Sequence, residues 1–142
     1  MAGANAVNLH QIDRPDKNYD FIVCSHVIDS VEGPQRATSE LTRVLSDTGL
    51  MFLSYPSPAT RDVTMDWGYA DLSRGGKCRI FGCDFEKNIK DTVPQALFTA
   101  VGANDPVTGD ADRFYVVTKS PNWVRQIFQL GFDAELINFV SL

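Results

Sequence analysis

Two continuous apolar runs joined by one amphipathic segment limit what this chain can fold into. Residues 19–25 read YDFIVCS, with Phe21, Ile22, Val23 and Cys24 in a row, and residues 50–55 read LMFLSY. Consecutive apolar residues need burial on both faces, which a central strand of a helix-covered parallel sheet provides. Between the runs, Gly33-Pro34 opens a helix, with proline at the first position, where its missing N–H costs nothing. Ala37, Leu41, Val44 and Leu45 then recur at helical spacing and form one apolar face. Asp47-Thr48-Gly49 is expected to stop that helix, with Gly49 as the left-handed residue past its end. Strand, helix and strand make a βαβ unit. The two runs are therefore expected as parallel neighbours, with a helix over about 34–46 packed across them.

The flanking segments carry weaker patterns. Residues 6–12 alternate faintly, as a short strand does, and a polar turn over 13–18 follows. Residues 60–76 hold Trp67 and Tyr69 among Asp, Arg and Gly without a clear period, which reads as a surface excursion with one helical turn at most. Arg79-Ile80-Phe81-Gly82 is short and extended. Asp84 is placed to cap a helix whose Phe85, Ile89 and Val93 share a face, with Pro94 ending it. Residues 95–101 and 113–119 read as strands of an antiparallel hairpin around the turn-rich 102–112 loop. Ser120-Pro121 starts a last helix stopped by Gly131, and residues 134–140 suit a final strand.

Composition narrows the function. The 142 residues fit a single domain over 1–142, and 44% hydrophobic with 22% charged residues is ordinary for a globular chain. Thirteen Lys+Arg against eighteen Asp+Glu give a formal charge of −5. With no basic stripe to neutralise phosphates, a nucleic-acid partner is not expected. No run approaches the roughly 20 apolar residues that span a bilayer, and the N-terminus lacks a signal-peptide pattern, so the reading is cytoplasmic with no membrane partner. The three cysteines, Cys24, Cys78 and Cys83, have neither disulfide-framework nor zinc spacing, so no metal is expected.

Several short signals occur in order. Tyr19-Asp20 precedes the first run. Ser25-His26-Val27-Ile28-Asp29 follows it. Arg43-Val44-Leu45 and then Gly49 lie near the helix end, and Pro56 follows the second run. Together they resemble the fourth and fifth strand region of class I S-adenosylmethionine-dependent methyltransferases, where F-D, an apolar strand, S/N-H-V-L-E-H, a helix ending R-V-L-x-x-G-G and a second apolar strand recur. Arg79-Ile80-Phe81-Gly82-Cys83-Asp84-Phe85 resembles a further R-x-Y/F-G-x-D-F segment of some members. The likeness covers about residues 8–93. It implies an α/β fold: a partial doubly wound, Rossmann-like sheet, mostly parallel, with the C-terminal antiparallel hairpin attached.

The resemblance also assigns candidate residues. Asn8 falls where the family often has an acid near the adenine, and Ser25 lies in the strand-end motif, so both are candidate cofactor-binding positions. His26 and Asp29 are candidate catalytic residues. Methyl transfer is an in-line displacement from a sulfonium and often uses a general base, and the C-terminal end of a strand in a doubly wound sheet is where ligand-facing groups collect. His26 packing at the strand end, with Asp29 capping the helix, is the alternative. Tyr55 and Ser57 are candidate substrate-lining residues after the second strand. Trp67 and Tyr69 are candidates for an acceptor lid or for plain amphipathic anchors.

The family's Gly-rich loop and ribose acid precede the region this sequence resembles, and only seven residues precede Asn8. The expectation is therefore a methyltransferase-like half-domain that does not bind S-adenosylmethionine alone and acts as a partner or scaffold subunit. The alternatives are an enzyme whose cofactor half comes from another chain, or a fragment without activity. In the family the YDFIVCS-type strand also pairs with the first, cofactor-binding strand. Its edge is thus expected to be open here, to be covered by residues 6–12 folded back, by a second copy or by a heteromeric partner.

Overall fold

The structure is a computed structural model that describes residues 6–55, 61–104, 106–109 and 111–137. Its strands are β1 (Tyr19–Ser25), β2 (Leu45–Ser54), β3 (Met65–Asp71), β4 (Lys77–Ile80), β5 (Leu97–Asn104), β6 (Ala111–Thr118) and β7 (Ala134–Leu136). Its helices are α1 (Pro34–Val44), α2 (Asp84–Thr92) and α3 (Pro121–Gln129), and 3-10 turns cover Ile28–Ser30 and Leu72–Arg74.

The expected βαβ unit is present. β1 and β2 run parallel, with Phe21 opposite Leu50 and Ser25 opposite Ser54, and α1 connects them. Ala37, Leu41 and Val44 of α1 are buried against Met51 and Leu53 of β2. The hairpin is also present: β5 and β6 pair antiparallel from Leu97 opposite Thr118 to Asn104 opposite Ala111.

The main sheet has the order β1-β2-β6-β5-β7. Only β1–β2 is parallel among its described pairings; β2–β6, β6–β5 and β5–β7 are antiparallel. The sheet is thus mixed rather than mostly parallel. The cause is local: the hairpin's returning strand β6, not β5, lies beside β2, and β7 adds antiparallel to β5. Helices cover both faces. Phe85 and Ile89 of α2 join α1 in the larger core, while Ile127 of α3 packs with Val101 and Val116 on the other face.

Five local expectations need correction. The helix ends at Val44, and Leu45 is extended and fully buried as the first residue of β2. Gly49 lies within β2 and not at a left-handed helix stop; a Cβ there would sit 2.9 Å from Leu45 Cδ1 and 3.0 Å from the Asp20 carbonyl, so glycine permits the close approach of β1. Residues 60–76 are not irregular throughout: β3 pairs antiparallel with β4 through a tight return in which Gly75 and Gly76 take φ of 70° and 79°. Asp84 is the first residue of α2, and its Oδ1 accepts from the backbone N–H and hydroxyl of Thr64 (2.9 and 2.6 Å), so it ties down the segment before β3.

Residues 6–12 form no strand. They dock on α1 instead: the Ile12 N–H donates to Glu40 Oε2 (3.0 Å), and the Gly33 N–H donates to His10 Nε2 (3.2 Å). Ser57 and residues 138–140 lie outside the described residues. No helix among the described residues is long and apolar enough to cross a membrane.

Candidate functional site at the end of the first strand

The C-terminal ends of β1 and β2 meet side by side. The hydroxyls of Ser25 and Ser54 share a hydrogen bond of 2.9 Å, and the His26 N–H donates to the Ser54 carbonyl at 2.9 Å. His26 then takes φ 54°, a left-handed conformation uncommon for a residue with a Cβ. That turn breaks the strand and leaves the imidazole exposed. Parallel pairing in register brings Ser25 beside Ser54, and the turn at His26 aims the chain away from the sheet.

The loop that follows is held from below by β4. Arg79, fully buried, donates from Nη1 to the carbonyls of Ile28 (3.3 Å) and Val31, from Nη2 to that of Glu32 (2.9 Å), and from Nε to Asp66 Oδ2 (2.7 Å). The Cys78 thiol donates to the Ser30 carbonyl at 3.5 Å. Lys77 Nζ lies 3.1 Å from Asp29 Oδ2. Three consecutive residues of one short strand thus fix the 28–32 segment.

Asp29 is only 1% exposed, and its carboxylate pairs with Lys77 rather than with His26. Among the described residues neither Asp29 oxygen has a hydrogen-bond donor of good geometry; a cavity of about 20 Å³ bounded by Asp29, Lys77, Arg79, Ile80 and Phe81 has room for a single water. His26 and Asp29 are therefore neighbours in sequence that face different surroundings. The nearby Cys24 thiol is pushed up to about 11, first by burial and then by the Asp29 charge, so it is not a thiolate nucleophile at neutral pH.

The remaining candidates disperse. Asn8 Oδ1 accepts from the His10 N–H (3.0 Å) in a local turn. Tyr55, expected to line a crevice, is 1% exposed and packs in an aromatic cluster. Its ring lies 4.6 Å from Phe81, 5.2 Å edge-on from Phe85 and 5.4 Å from Tyr115. Burial raises its hydroxyl pKa far above the usual value. Trp67 donates from Nε1 to the Lys77 carbonyl (2.9 Å) with the Arg74 guanidinium 4.8 Å over its ring, so it anchors its own hairpin. Tyr69 is exposed, and no hydrogen bond or ring contact joins either aromatic to His26.

Sequence reasoning singled out neither Arg79's clamp nor a wider concavity between α2 and β7, near the edge of the sheet opposite β1. That groove, of about 280 Å³, is lined by Cys83, Glu86, Lys87, Glu135 and Ile137. Glu86 there accepts from the Tyr115 hydroxyl (2.8 Å) and pairs with Arg113 (2.9 Å), which also reaches Glu135 (3.2 Å). Among the described residues, no group of three or more His, Cys, Asp or Glu side chains is placed to hold a metal ion.

Comparison with known proteins fits this arrangement. The family described as "Methyltransferase domain" matches residues 3–85. Among solved structures, the PH0226 protein of Pyrococcus horikoshii is 12% identical with a TM-score of 0.50, over 80% of this chain and 57% of that one. A SAM-dependent methyltransferase, possible histamine N-methyltransferase, from Thermotoga maritima is 13% identical with a TM-score of 0.48, over 77% and 59%. A SAM-dependent methyltransferase of Methanosarcina mazei is 14% identical with a TM-score of 0.44, over 78% and 62%. At 12% identity the likeness to the PH0226 protein is one of fold, and the matched region spans about three fifths of the length of each of these structures. A comparison with curated proteins found no match. With more than half of its residues inside the family match, and the strand-end motif at the end of β1 and in the turn after it, the chain belongs to the methyltransferase-domain family.

Proposed function

We propose that this chain is a methyltransferase-like unit that does not hold S-adenosylmethionine tightly by itself and serves as a partner or scaffold subunit. The observation that carries this reading is the state of the two candidate cofactor-binding residues: the amide oxygen of Asn8 is taken by its own turn, and the Ser25 hydroxyl is shared with Ser54. Asp29, the candidate catalytic acid, is buried and paired with Lys77. Residues 1–18 carry no Gly-rich strand–loop–helix pattern that would bring backbone N–H groups to the cofactor. What β1 and β2 do supply is the exposed His26 imidazole and the paired Ser25 and Ser54 hydroxyls. That set suits orienting a polar ligand or accepting a proton, not gripping a nucleoside.

Titration calorimetry with S-adenosylmethionine and its demethylated product tests the reading. The expected result is no binding tighter than about 10 µM, equivalent to about −7 kcal/mol. A tighter constant for the purified chain overturns it. A second reading draws on the free edge of β1: a Gly-rich half from another chain completes the site. Methyl transfer that appears only on mixing with such a chain would favour that reading.

A further inference from the structure

We infer that a single ordered water is built into the fold beneath the turn that follows His26, held between the Asp29 carboxylate and the Lys77 ammonium. Asp29 belongs to the 3-10 turn Ile28–Ser30, and Lys77 is the first residue of β4. The Asp29 side chain is 2% exposed, and both of its oxygens are enclosed. A carboxylate stripped of its hydration needs hydrogen bonds in place of the water it lost. Among the described residues this one receives none of good geometry, although Lys77 Nζ stands 3.1 Å from Oδ2. Its charge is balanced and its lone pairs are not.

The carboxylate lines a cavity of about 20 Å³ whose other walls are Lys77, Arg79, Ile80 and Phe81. One water needs about 10–15 Å³ of such space, so the cavity takes one water and nothing larger. Cavities that stay dry are apolar, whereas this wall carries a carboxylate, an ammonium and a guanidinium. A metal or ammonium ion there would meet two cations, and an anion would meet the carboxylate at short range. Water suits both signs, because it donates to Asp29 and accepts from Lys77. Arg79 is already committed to Asp66 and to the carbonyls of Ile28, Val31 and Glu32, so Lys77 is the donor this water uses. The water also supplies a link that the clamp lacks. Cys78 and Arg79 reach backbone carbonyls of residues 28–32, and neither bonds to the Asp29 side chain. With the water in place, three consecutive residues of β4 hold the turn, one of them through solvent. The Lys77 side chain is 32% exposed, so the water exchanges with bulk past it.

Two measurements on the full chain test this. A crystal structure refined finely enough to show ordered solvent should place one water within hydrogen-bond distance of both the Asp29 carboxylate and Lys77 Nζ. Relaxation dispersion of water deuterons counts the waters that stay bound for longer than the protein tumbles. Asp29→Leu makes the wall apolar at similar volume, and its count should fall one below that of the wild type; circular dichroism and thermal melting report whether the variant is folded. Where it does not fold, the wild-type map decides alone. A wild-type cavity without solvent density overturns the inference, as does an ion in its place, a Lys77 that swings in to bond Asp29 directly, or an equal count in folded Asp29→Leu. None of these results depends on S-adenosylmethionine, so they stand or fall separately from the calorimetry.

Discussion

Replacing Arg79 with methionine removes a buried cation whose guanidinium holds three carbonyls of the loop beneath the candidate site. The residue is 1% exposed. Its guanidinium donates to the carbonyls of Ile28, Val31 and Glu32 and pairs with Asp66. Buried ion pairs are often replaceable by apolar side chains of similar volume, because the charges were costly to desolvate. That argument fails here, because three of the four partners are backbone carbonyls, which no substitution removes. Each buried acceptor left unpaired costs about 1–3 kcal/mol, and relaxation of the loop toward water offsets part of the sum. The expected loss for Arg79→Met is about 3–5 kcal/mol, within the range for breaking a buried pair.

The control is Asp66→Asn. Asp66 is 44% exposed on its side chain, so losing its charge leaves Arg79 with its three carbonyls. The expected loss is below about 1 kcal/mol, as for exposed ion pairs. Urea unfolding monitored by tryptophan fluorescence reads both, because Trp67 sits on the same hairpin. In thermal melts the Arg79 variant should fall by about 10–15 °C. Equal losses for the two variants, or a loss below about 1 kcal/mol for Arg79→Met, would refute the view that the carbonyl clamp dominates.

Acid should weaken the docking of the N-terminal segment. Bonding from Arg43, then from the Ile12 N–H, pulls Glu40 down from 4.5 to about 2. A depressed carboxylate stabilises the fold above its unfolded pKa, and that contribution is lost as pH falls from about 4.5 towards 2. Glu40→Gln should therefore flatten the stability profile over that window, read as the urea midpoint at successive pH values. Gly82→Ala should cost about 1–3 kcal/mol or more, because the added Cβ would lie 2.5 Å from the Val63 carbonyl carbon, and backbone there cannot swing aside. Chemical denaturation checks it.

The parts of the fold that could be read from the sequence are those whose burial is two-sided or helical. Phe21 to Cys24 and Leu50 to Leu53 are uninterrupted, and α1 repeats its apolar face at Ala37, Leu41 and Val44. β3 was hidden because its register slips between Asp66 and Asp71 and most of its side chains stay exposed, so no alternation survives. The mixed sheet was hidden because strand order depends on which hairpin arm reaches β2, a choice made by packing and not by period. Tyr55 carried a usable signal: Met51, Leu53 and Tyr55 step by two and share one buried face, which places the ring inside and not at a crevice. The Asp29–Lys77 pair and the clamp of Arg79 on the 28–32 carbonyls join residues 47 or more positions apart, and such pairings leave no local trace.

His26 is where these constraints meet. A left-handed φ costs a residue with a Cβ about 1–2 kcal/mol relative to glycine, which adopts it freely. The surroundings enforce the turn: the His26 N–H is bound to the Ser54 carbonyl on one side, and Arg79 pins Ile28 two residues further on. The backbone alone would be better served by glycine. The imidazole therefore adds strain without contributing a hydrogen bond to the fold among the described residues. Such strain, held by an over-determined loop at the mouth of a parallel strand pair, motivates the hypothesis that the side chain matters for what it presents to solvent. On that ground we propose His26 rather than Asp29 as the group of this site that meets a ligand. The carboxylate is buried in an ion pair, while the ring is exposed and its backbone is fixed from both sides.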